Sequence, residues 1–238
     1  MKKAIIIGAS SGIGKGLATL LVENDYKVGI TGRRMELLEE LKKTNPKSFL
    51  IKTFDATDTE TSIEKIIELI LELGGLDLMI LSSGTGDLNE TLDFETERKV
   101  IELNVTGFTN IIDWTFNYFE KQGFGHIVAI SSVAGIRGSR YAPSYNASKA
   151  YQINYLEGLR QKSIKFNKSI YVTDIRPGFV DTNMAKGEGL FWVMPVNKVA
   201  KQIFRAIVNK RKVVYVTKRW GLIGRFLKLI PRFIFDRM

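Results

Sequence analysis

Short apolar runs alternate along the chain with longer segments whose apolar positions recur every three or four residues. Runs of about four to eight residues rich in Ile and Val are typical of buried strands, whereas the longer periodicity is typical of amphipathic helices. The pattern predicts strands at residues 4–8, 27–31, 49–53, 77–81, 126–131, 170–175 and 213–216. It predicts helices between them at residues 14–24, 35–43, 59–73, 96–119, 144–165 and 198–209.

Strands joined by helices of this length form right-handed crossovers, and these produce a parallel sheet with helices on both faces. The expected fold class is therefore α/β, a doubly wound parallel sheet of about seven strands. We expect a single domain over residues 1–217, with a less regular insertion near 185–195, followed by a C-terminal extension over residues 218–238.

The composition excludes several kinds of site. The chain has 238 residues, 45% of them hydrophobic, which is ample for a packed core. It has no cysteine and one histidine, so a disulfide scaffold and a Cys/His zinc site are excluded and no metal is expected. His126 has no partner ligand and is expected to be structural. No stretch approaches the roughly 18 apolar residues of a membrane span, so we expect a cytoplasmic protein.

The positive charge is concentrated at one end of the chain. The formal net charge is +10. Residues 197–238 hold twelve Lys and Arg against one acidic residue, Asp236, whereas residues 1–196 hold 23 basic and 24 acidic residues. The question of an anionic partner therefore concerns the last part of the chain.

A glycine-rich turn follows the first strand. It has the spacing G-x-x-x-G-x-G and leads into a helix, which brings backbone N–H groups and a helix N-terminus to a pyrophosphate. The alternative is a turn whose glycines serve the backbone alone. Its position between the first strand and the first helix favours a dinucleotide site. The expected contacts are Gly8, Ser10, Ser11, Gly12, Ile13 and Gly14.

The end of the second strand indicates which dinucleotide is bound. An NAD site usually offers a carboxylate here to the ribose 2′-hydroxyl. This chain has Gly32 followed by Arg33 and Arg34, and a guanidinium binds a 2′-phosphate bidentately. NADP(H) is therefore favoured over NAD(H), with Arg33 as the expected contact and Arg34 facing solvent. The alternative is a solvated pair at a helix start.

Tyr145 and Lys149 lie four residues apart in a predicted helix and so share one face. An ammonium beside a phenol favours the phenolate and lowers a pKa that is ordinarily about 10. Tyr145 is therefore a candidate general acid and base. Ser132, just past the fifth strand, is a candidate hydrogen-bond donor to a substrate oxygen. Taken singly, the alternative for Tyr145 and Lys149 is an ordinary pair on an amphipathic helix, and the alternative for Ser132 is a helix or turn cap.

Five motifs in order resemble the short-chain dehydrogenase/reductase family over about residues 3–182. They are Gly8-x-x-x-Gly12-x-Gly14, Asn104 in the run Glu102 to Thr106, Ser132, Tyr145-x-x-x-Lys149, and Pro177-Gly178 to Thr182. The resemblance implies a Rossmann-like fold and hydride exchange between a nicotinamide and a carbonyl or alcohol. It implies a catalytic tetrad of Asn104, Ser132, Tyr145 and Lys149.

The resemblance also implies further roles for particular residues. Lys149 would hold the nicotinamide ribose, and Asn104 would support a water-linked proton relay. Asp55 would contact adenine, with an Asx turn as the alternative, and Gly84 would admit the cofactor. The nicotinamide would lie against Pro177, Gly178 and Thr182, and Tyr145 would also contact the cofactor. A mobile substrate lid is expected at about 184–195, and a homodimer or homotetramer through the helices at 96–119 and 144–165.

The chain departs from the family pattern at two positions. Ile7 stands where the family usually has Thr, and Leu81-Ser82-Ser83-Gly84 stands where it usually has Asn-Asn-Ala-Gly. In the family these polar residues help to join adjacent strands. Replacing both polar partners by apolar residues can be nearly neutral, so we expect Ile7 and Leu81 to lie in neighbouring strands and to contact or nearly contact each other.

The C-terminal extension combines apolar and basic residues at helical spacing, with Pro231 expected to kink or split the helix. One hypothesis is an interfacial helix on anionic lipid at the inner membrane face. The alternative is packing on its own subunit or a dimer partner, and nucleic acid is not expected. The apolar positions are Phe226, Leu227, Ile230, Phe233 and Ile234, and the basic positions are Arg225, Lys228 and Arg232.

The sequence therefore predicts an NADP(H)-dependent oxidoreductase, acting on an apolar ketone or aldehyde. A non-catalytic NADP(H)-binding regulator or scaffold on the same fold is the alternative.

Overall fold

The computed structural model describes residues 1–185 and 191–237. A seven-stranded sheet, with every neighbouring pair parallel, runs through it in the order β3-β2-β1-β4-β5-β6-β7. This confirms the predicted α/β class. The strands are β1 (Lys2–Ile7), β2 (Tyr26–Gly32), β3 (Phe49–Thr53), β4 (Leu78–Leu81), β5 (Phe124–Ile130), β6 (Ser169–Pro177) and β7 (Val213–Val216).

Helices cover both faces of the sheet and enclose two cores. One core holds buried residues of α1, α2 and α7, and the other holds those of α3, α5 and α6. Successive residues of β1 alternate between them, as the pleat requires: Ala4 and Ile6 face the first core, Ile5 and Ile7 the second. The helices are α1 (Gly12–Val22), α2 (Met35–Thr44), α3 (Thr59–Leu73), α4 (Phe94–Ile101), α5 (Phe108–Gln122), α6 (Pro143–Lys165), α7 (Val196–Val208), α8 (Lys218–Leu229) and α9 (Arg232–Phe235).

The strand order reverses between β1 and β4, because the chain winds outward to β3 and then crosses back beside β1. In open parallel sheets, ligands bind in the crevice that such a reversal leaves at the carboxyl ends of the strands. At this edge Ile7 lies opposite Leu81 in the register, and both side chains are buried in one core. The expectation that they occupy neighbouring strands is confirmed.

The predicted long helix at 96–119 is not one regular helix. Asp93 begins α4 by accepting a hydrogen bond from the backbone N–H of Thr96 at 2.9 Å. A six-residue π-helical stretch, Glu102–Gly107, then separates α4 from α5. Single π-helical turns often occur at functional sites, and this one contains Asn104.

The C-terminal extension folds as two helices that separate at Pro231, as predicted. The inner face of α8 packs on the sheet domain through Trp220 and Gly224, both buried. The side chain of Arg137 caps the C-terminal end of α8. It donates to the carbonyl oxygen of Leu227, at 2.8 Å, and to that of Ile230. No helix in the described part of the chain is long and apolar enough to cross a membrane.

The insertion that follows β6 is only partly described. Residues 186–190, within the predicted lid at 184–195, lie outside the described residues. On either side of them, Val180 forms a β-bridge with Met194, and Phe191 stacks on Trp220 with ring centroids 5.3 Å apart. The described part of the insertion therefore packs against α8.

Candidate active site

The turn between β1 and α1 brings the backbone close to neighbouring groups. Gly8 and Gly12 have φ angles of +86° and +56°, which glycine adopts without strain. A Cβ on Gly8 would lie 2.7 Å from the backbone nitrogen of Ser83, and one on Gly14 would lie 2.0 Å from the carbonyl oxygen of Gly8. Only glycines fit these positions, so the turn forms a cradle at the N-terminus of α1.

Ser10 and Ser11 in this turn receive a guanidinium from the loop after β2. Arg34 Nη2 donates to Ser10 Oγ at 2.8 Å and to Ser11 Oγ at 2.9 Å. Arg34, expected to face solvent, is exposed but covers the turn. Arg33, the expected contact, forms an ion pair with Asp55 at 3.4 Å instead. Sequence spacing does not show which of two adjacent cations turns toward the glycine loop.

Asp55 forms the Asx turn considered as the alternative for it, and its contact with adenine stays a prediction. Its Oδ1 accepts from the backbone N–H and the hydroxyl of Thr57 in an Asx turn, and its Oδ2 faces Arg33. Burial raises the pKa of Asp55, but the hydrogen bonds from Thr57 and the charge of Arg33 outweigh it. The pKa of this carboxyl therefore lies below its ordinary value.

The structure brings together Tyr145 and Ser132. Tyr145 lies in the first turn of α6, which begins at Pro143. Ser132 follows β5 and caps the short 3₁₀ turn at Val133–Ile136 by accepting from the N–H of Ala134 at 3.1 Å. Burial raises the pKa of Tyr145 above its ordinary value, and a hydrogen bond with Ser132 lowers it in part. The expected net lowering is therefore wrong for this geometry.

The ammonium of Lys149 lies close to the ring of Tyr145. Its Nζ lies 5.8 Å from the centre of the Tyr145 ring. It donates to the carbonyl oxygen of Ile130 and to Gln152 Oε1, each at 3.0 Å, so two of its protons are bound by acceptors other than the phenol oxygen. Burial lowers the pKa of Lys149 to about 8, while the negative charge of Asp174 raises it.

Asn104 lies behind this pair in the π-helical stretch. Its Oδ1 accepts from the N–H of Thr85 at 2.9 Å, and its Nδ2 donates to the Thr85 carbonyl oxygen at 2.7 Å and to Ser148 Oγ at 3.1 Å. A Cβ on Gly84 would lie 3.4 Å from Asn104 Oδ1 and 3.5 Å from Lys149 Nζ. Gly84 therefore lies where the tetrad and the loop after β4 meet.

Gly86 belongs to this site although sequence reasoning did not identify it. A Cβ there would lie 2.3 Å from the ring of Tyr145, so the tyrosine rests directly on this backbone. The signal in the sequence was the second glycine of Gly84-Thr85-Gly86.

The turn after β6 completes the site on the other side. Ser132 Oγ donates to the carbonyl oxygen of Pro177 at 3.5 Å. The Thr182 side chain lies 3.2 Å from the place that a Cβ on Gly12 would occupy, and the Trp220 ring covers Gly178. The predicted tetrad, the glycine turn and the segment 177–182 are thus gathered along the carboxyl edge of the sheet.

His126 lies elsewhere, buried against Thr173 with its Nε2 2.8 Å from Thr173 Oγ1. Burial lowers its pKa to about 4. Within residues 1–185 and 191–237, no three His, Cys, Asp or Glu side chains are grouped to hold a metal.

The sequence profile of the short chain dehydrogenase family matches residues 2–190. The chain belongs to this family. It is therefore an NAD(P)-dependent short-chain dehydrogenase/reductase, as the ordered motifs predict. An oxidoreductase of Myxococcus xanthus is 29% identical over 242 residues, covering 99% of this chain and 95% of the relative. An oxidoreductase of Listeria monocytogenes is 34% identical over 190 residues, covering 77% of this chain and 76% of the relative.

Solved structures share the fold of this short-chain dehydrogenase/reductase. A Burkholderia phymatum family member in complex with NAD has a TM-score of 0.86 and 19% identity, covering 94% of this chain and 92% of that one. ElxO with NADP bound has a TM-score of 0.79 and 24% identity, covering 90% and 96%. The glycine turn suits a dinucleotide, because it leads directly into the N-terminus of α1, where backbone N–H groups can bind a pyrophosphate.

Proposed function

We propose that the protein is an NADP(H)-dependent reductase of a ketone or aldehyde, with Tyr145 as the general acid. The observation that carries the proposal is the meeting of the Ser132 hydroxyl, the Tyr145 phenol and the Lys149 ammonium beside Gly84. These groups supply a hydrogen-bond donor, a proton donor and a positive charge at one edge of the sheet.

When bound, the nicotinamide supplies the hydride. The turn of Gly8, Gly12 and Gly14 would hold the pyrophosphate, and Lys149 would hold the ribose next to the nicotinamide. Ser132 and Tyr145 donate hydrogen bonds to the substrate oxygen, which becomes negative as its carbon is reduced. Tyr145 then passes its proton to that oxygen, and the ammonium of Lys149 stabilises the phenolate that remains. Burial keeps Tyr145 protonated beforehand, which suits a proton donor.

The preference for NADP(H) rests on the loop after β2. Gly32 leaves space beside Ser10, and the next residues are two cations with no carboxylate. Arg34, held by Ser10 and Ser11, supports binding of a 2′-phosphate at this point. Arg33 and Asp55 then border the adenine side.

A screen of NADPH oxidation over aliphatic, aromatic and acyl carbonyl compounds tests the proposal. We expect turnover with at least one apolar ketone or aldehyde, and slower turnover with NADH. NADPH binding without turnover across the screen would instead favour the non-catalytic regulator. The apolar preference is supported by the ring cluster of Phe179, Phe191, Trp192 and Trp220 beside the turn after β6.

The tail offers an exposed apolar face to an anionic membrane surface. Leu222, Phe226, Leu229 and Phe233 are each more than 60% exposed, although α8 packs its other face on the sheet domain. Basic residues accompany them, and cations beside exposed aromatic side chains suit anionic lipid. They are Lys218, Arg219, Arg225, Lys228, Arg232 and Arg237.

Vesicle sedimentation tests the membrane contact. The full chain is used, because removing the tail would also remove Trp220, which is part of the buried core. We expect binding to vesicles with anionic phosphatidylglycerol and weak binding to neutral phosphatidylcholine. The double variant Phe226→Ser/Phe233→Ser should lose it, whereas Leu71→Ser, an exposed leucine on α3, should not. Equal sedimentation of both variants would overturn the contact. Loss of a dimer in Phe226→Ser/Phe233→Ser, without vesicle binding by the parent, would assign the face to a second copy.

A homodimer or homotetramer through the helices of residues 94–122 and 143–165 is also proposed. Exposed apolar side chains on them, Ile101 and Ile164, support it. Light scattering of the parent and of Ile101→Lys measures the oligomer.

A further inference from the structure

Gln152 is a buried amide whose two ends reach two residues of the tetrad. Its Nε2 donates to the backbone carbonyl oxygen of Asn104 at 2.9 Å, and its Oε1 accepts from Lys149 Nζ at 3.0 Å. Only 1% of the residue is exposed. Gln152 therefore links the backbone at Asn104 to the ammonium of Lys149.

The local structure explains this placement. Gln152 lies three residues after Lys149 on α6, so the two side chains are neighbours on the face that the helix buries. Asn104 approaches from the π-helical stretch between α4 and α5. A carboxamide carries its donor and acceptor in one plane, and here each is used once, so the bridge sets the separation of its two partners.

We propose that Gln152 is a positioning residue that holds the Lys149 ammonium in its charged form and in register with Asn104. Through Lys149 it sets the pH range over which Tyr145 acts as an acid. The inference rests on the proposed roles of Tyr145 and Lys149 and adds the residue that tunes them.

The groups around Lys149 show why one acceptor matters. Within residues 1–185 and 191–237, the charged or titratable groups that interact with it are Tyr145 on the same helix and Asp174 on β6. Asp174 is itself paired with Arg176 at 2.6 Å, which reduces its effect on the ammonium. The remaining hydrogen-bond acceptors on Nζ are the Ile130 carbonyl oxygen and Gln152 Oε1. A buried ammonium that loses one of two acceptors is more easily deprotonated.

The test compares Gln152→Leu, which removes both hydrogen bonds, with Gln152→Glu, which keeps the acceptor and adds a negative charge. Reduction requires the charged Lys149, so the rate falls as pH rises through the pKa of Lys149. In Gln152→Leu we expect this fall about 1 pH unit lower than in the parent. In Gln152→Glu we expect it at least about 1 unit higher. The control is Gln122→Leu, which removes an amide that likewise makes two hydrogen bonds, donating to the carbonyl oxygens of Leu76 and Phe124.

A second measurement needs no substrate. The ¹³C resonance of the Lys149 Cε is titrated with pH in the parent and in both variants. The pKa of Lys149 read from it should be lower in Gln152→Leu and higher in Gln152→Glu than in the parent. Unchanged or parallel titrations in Gln152→Leu and Gln152→Glu would overturn the role of Gln152, whatever the activity. Opposite shifts in a protein that reduces no carbonyl would uphold the role of Gln152 and refute the reductase alone.

Discussion

The indole ring of Trp220 lies directly against Gly178, so closely that a Cβ on Gly178 would come within 1.9 Å of it. The C-terminal helix α8 is thereby joined to the turn that follows β6, next to Ser132 and Pro177. The tail therefore borders the candidate active site and also forms part of the outer surface.

Gly178→Ala should destabilise the protein, because the added methyl group would overlap the Trp220 ring. We expect a loss of about 1–3 kcal/mol in the free energy of unfolding, measured by chemical denaturation. The matched control is Gly158→Ala in α6, where a Cβ meets open space. That change should be stabilising by up to about 1 kcal/mol. Equal stability of the two variants would contradict the packing described.

Gly86→Ala should lower the turnover number while leaving NADPH binding nearly intact. The new methyl group displaces the Tyr145 ring, which rests on this backbone, and the phenol loses its alignment with Ser132. A displacement of about 1 Å at a catalytic group costs on the order of 100-fold in rate. Steady-state kinetics and a fluorescence titration with NADPH measure the two effects. Gly138→Ala, where a Cβ meets no atom within 4 Å, is the control and should leave both unchanged.

Arg34→Ala should weaken NADPH much more than NADH, because Arg34 covers the serines of the glycine turn and only NADPH carries the 2′-phosphate. A charge-assisted hydrogen bond is worth about 1.5–3 kcal/mol, so KM for NADPH should rise roughly 10- to 100-fold. Arg33→Ala, which breaks the pair with Asp55, should have a smaller effect. If Arg33→Ala has the larger effect, the expectation drawn from the sequence was the better one.

Acid should destabilise the fold through His126, the single histidine. Its pKa is lowered by burial from 6.5 to about 4, so the unfolded chain takes up a proton before the folded one. The contribution of His126 to the free energy of unfolding is therefore fully present above pH 6.5 and is lost as pH falls toward 4. Between pH 7 and pH 5 the loss is about 2 kcal/mol. Urea denaturation at these two pH values measures it. His126→Gln should remove this part of the slope, and a slope unchanged by the substitution would refute the assignment.

The fold was largely predictable because its signals are local. Alternating apolar runs and periodic helices placed all the strands of the sheet, and matching departures at Ile7 and Leu81 predicted their adjacency. The break in the helix at Glu102–Gly107 was not predictable. It depends on how Asn104 bonds to Thr85 across the site, which no local periodicity records.

The site was predictable where residue type and spacing carry the chemistry, and less so where side-chain direction decides. Ser132, Tyr145 and Lys149 meet as expected. The contact of Arg34 with the glycine turn, the bridge made by Gln152 and the cover of Trp220 on Gly178 each depend on long-range packing. In sequence, Gln152 is one polar residue of a mixed helix, and Trp220 is one aromatic residue of a basic tail.

The most direct test of the account is the rate of NADPH oxidation by Tyr145→Phe with a carbonyl substrate of the parent enzyme. The control is Tyr141→Phe, which removes an exposed hydroxyl bonded to Arg140. General acid catalysis contributes about 10²- to 10⁴-fold, so we predict a loss of that size in Tyr145→Phe with NADPH affinity retained, and no loss in Tyr141→Phe. Turnover by Tyr145→Phe at the parent rate would contradict the account.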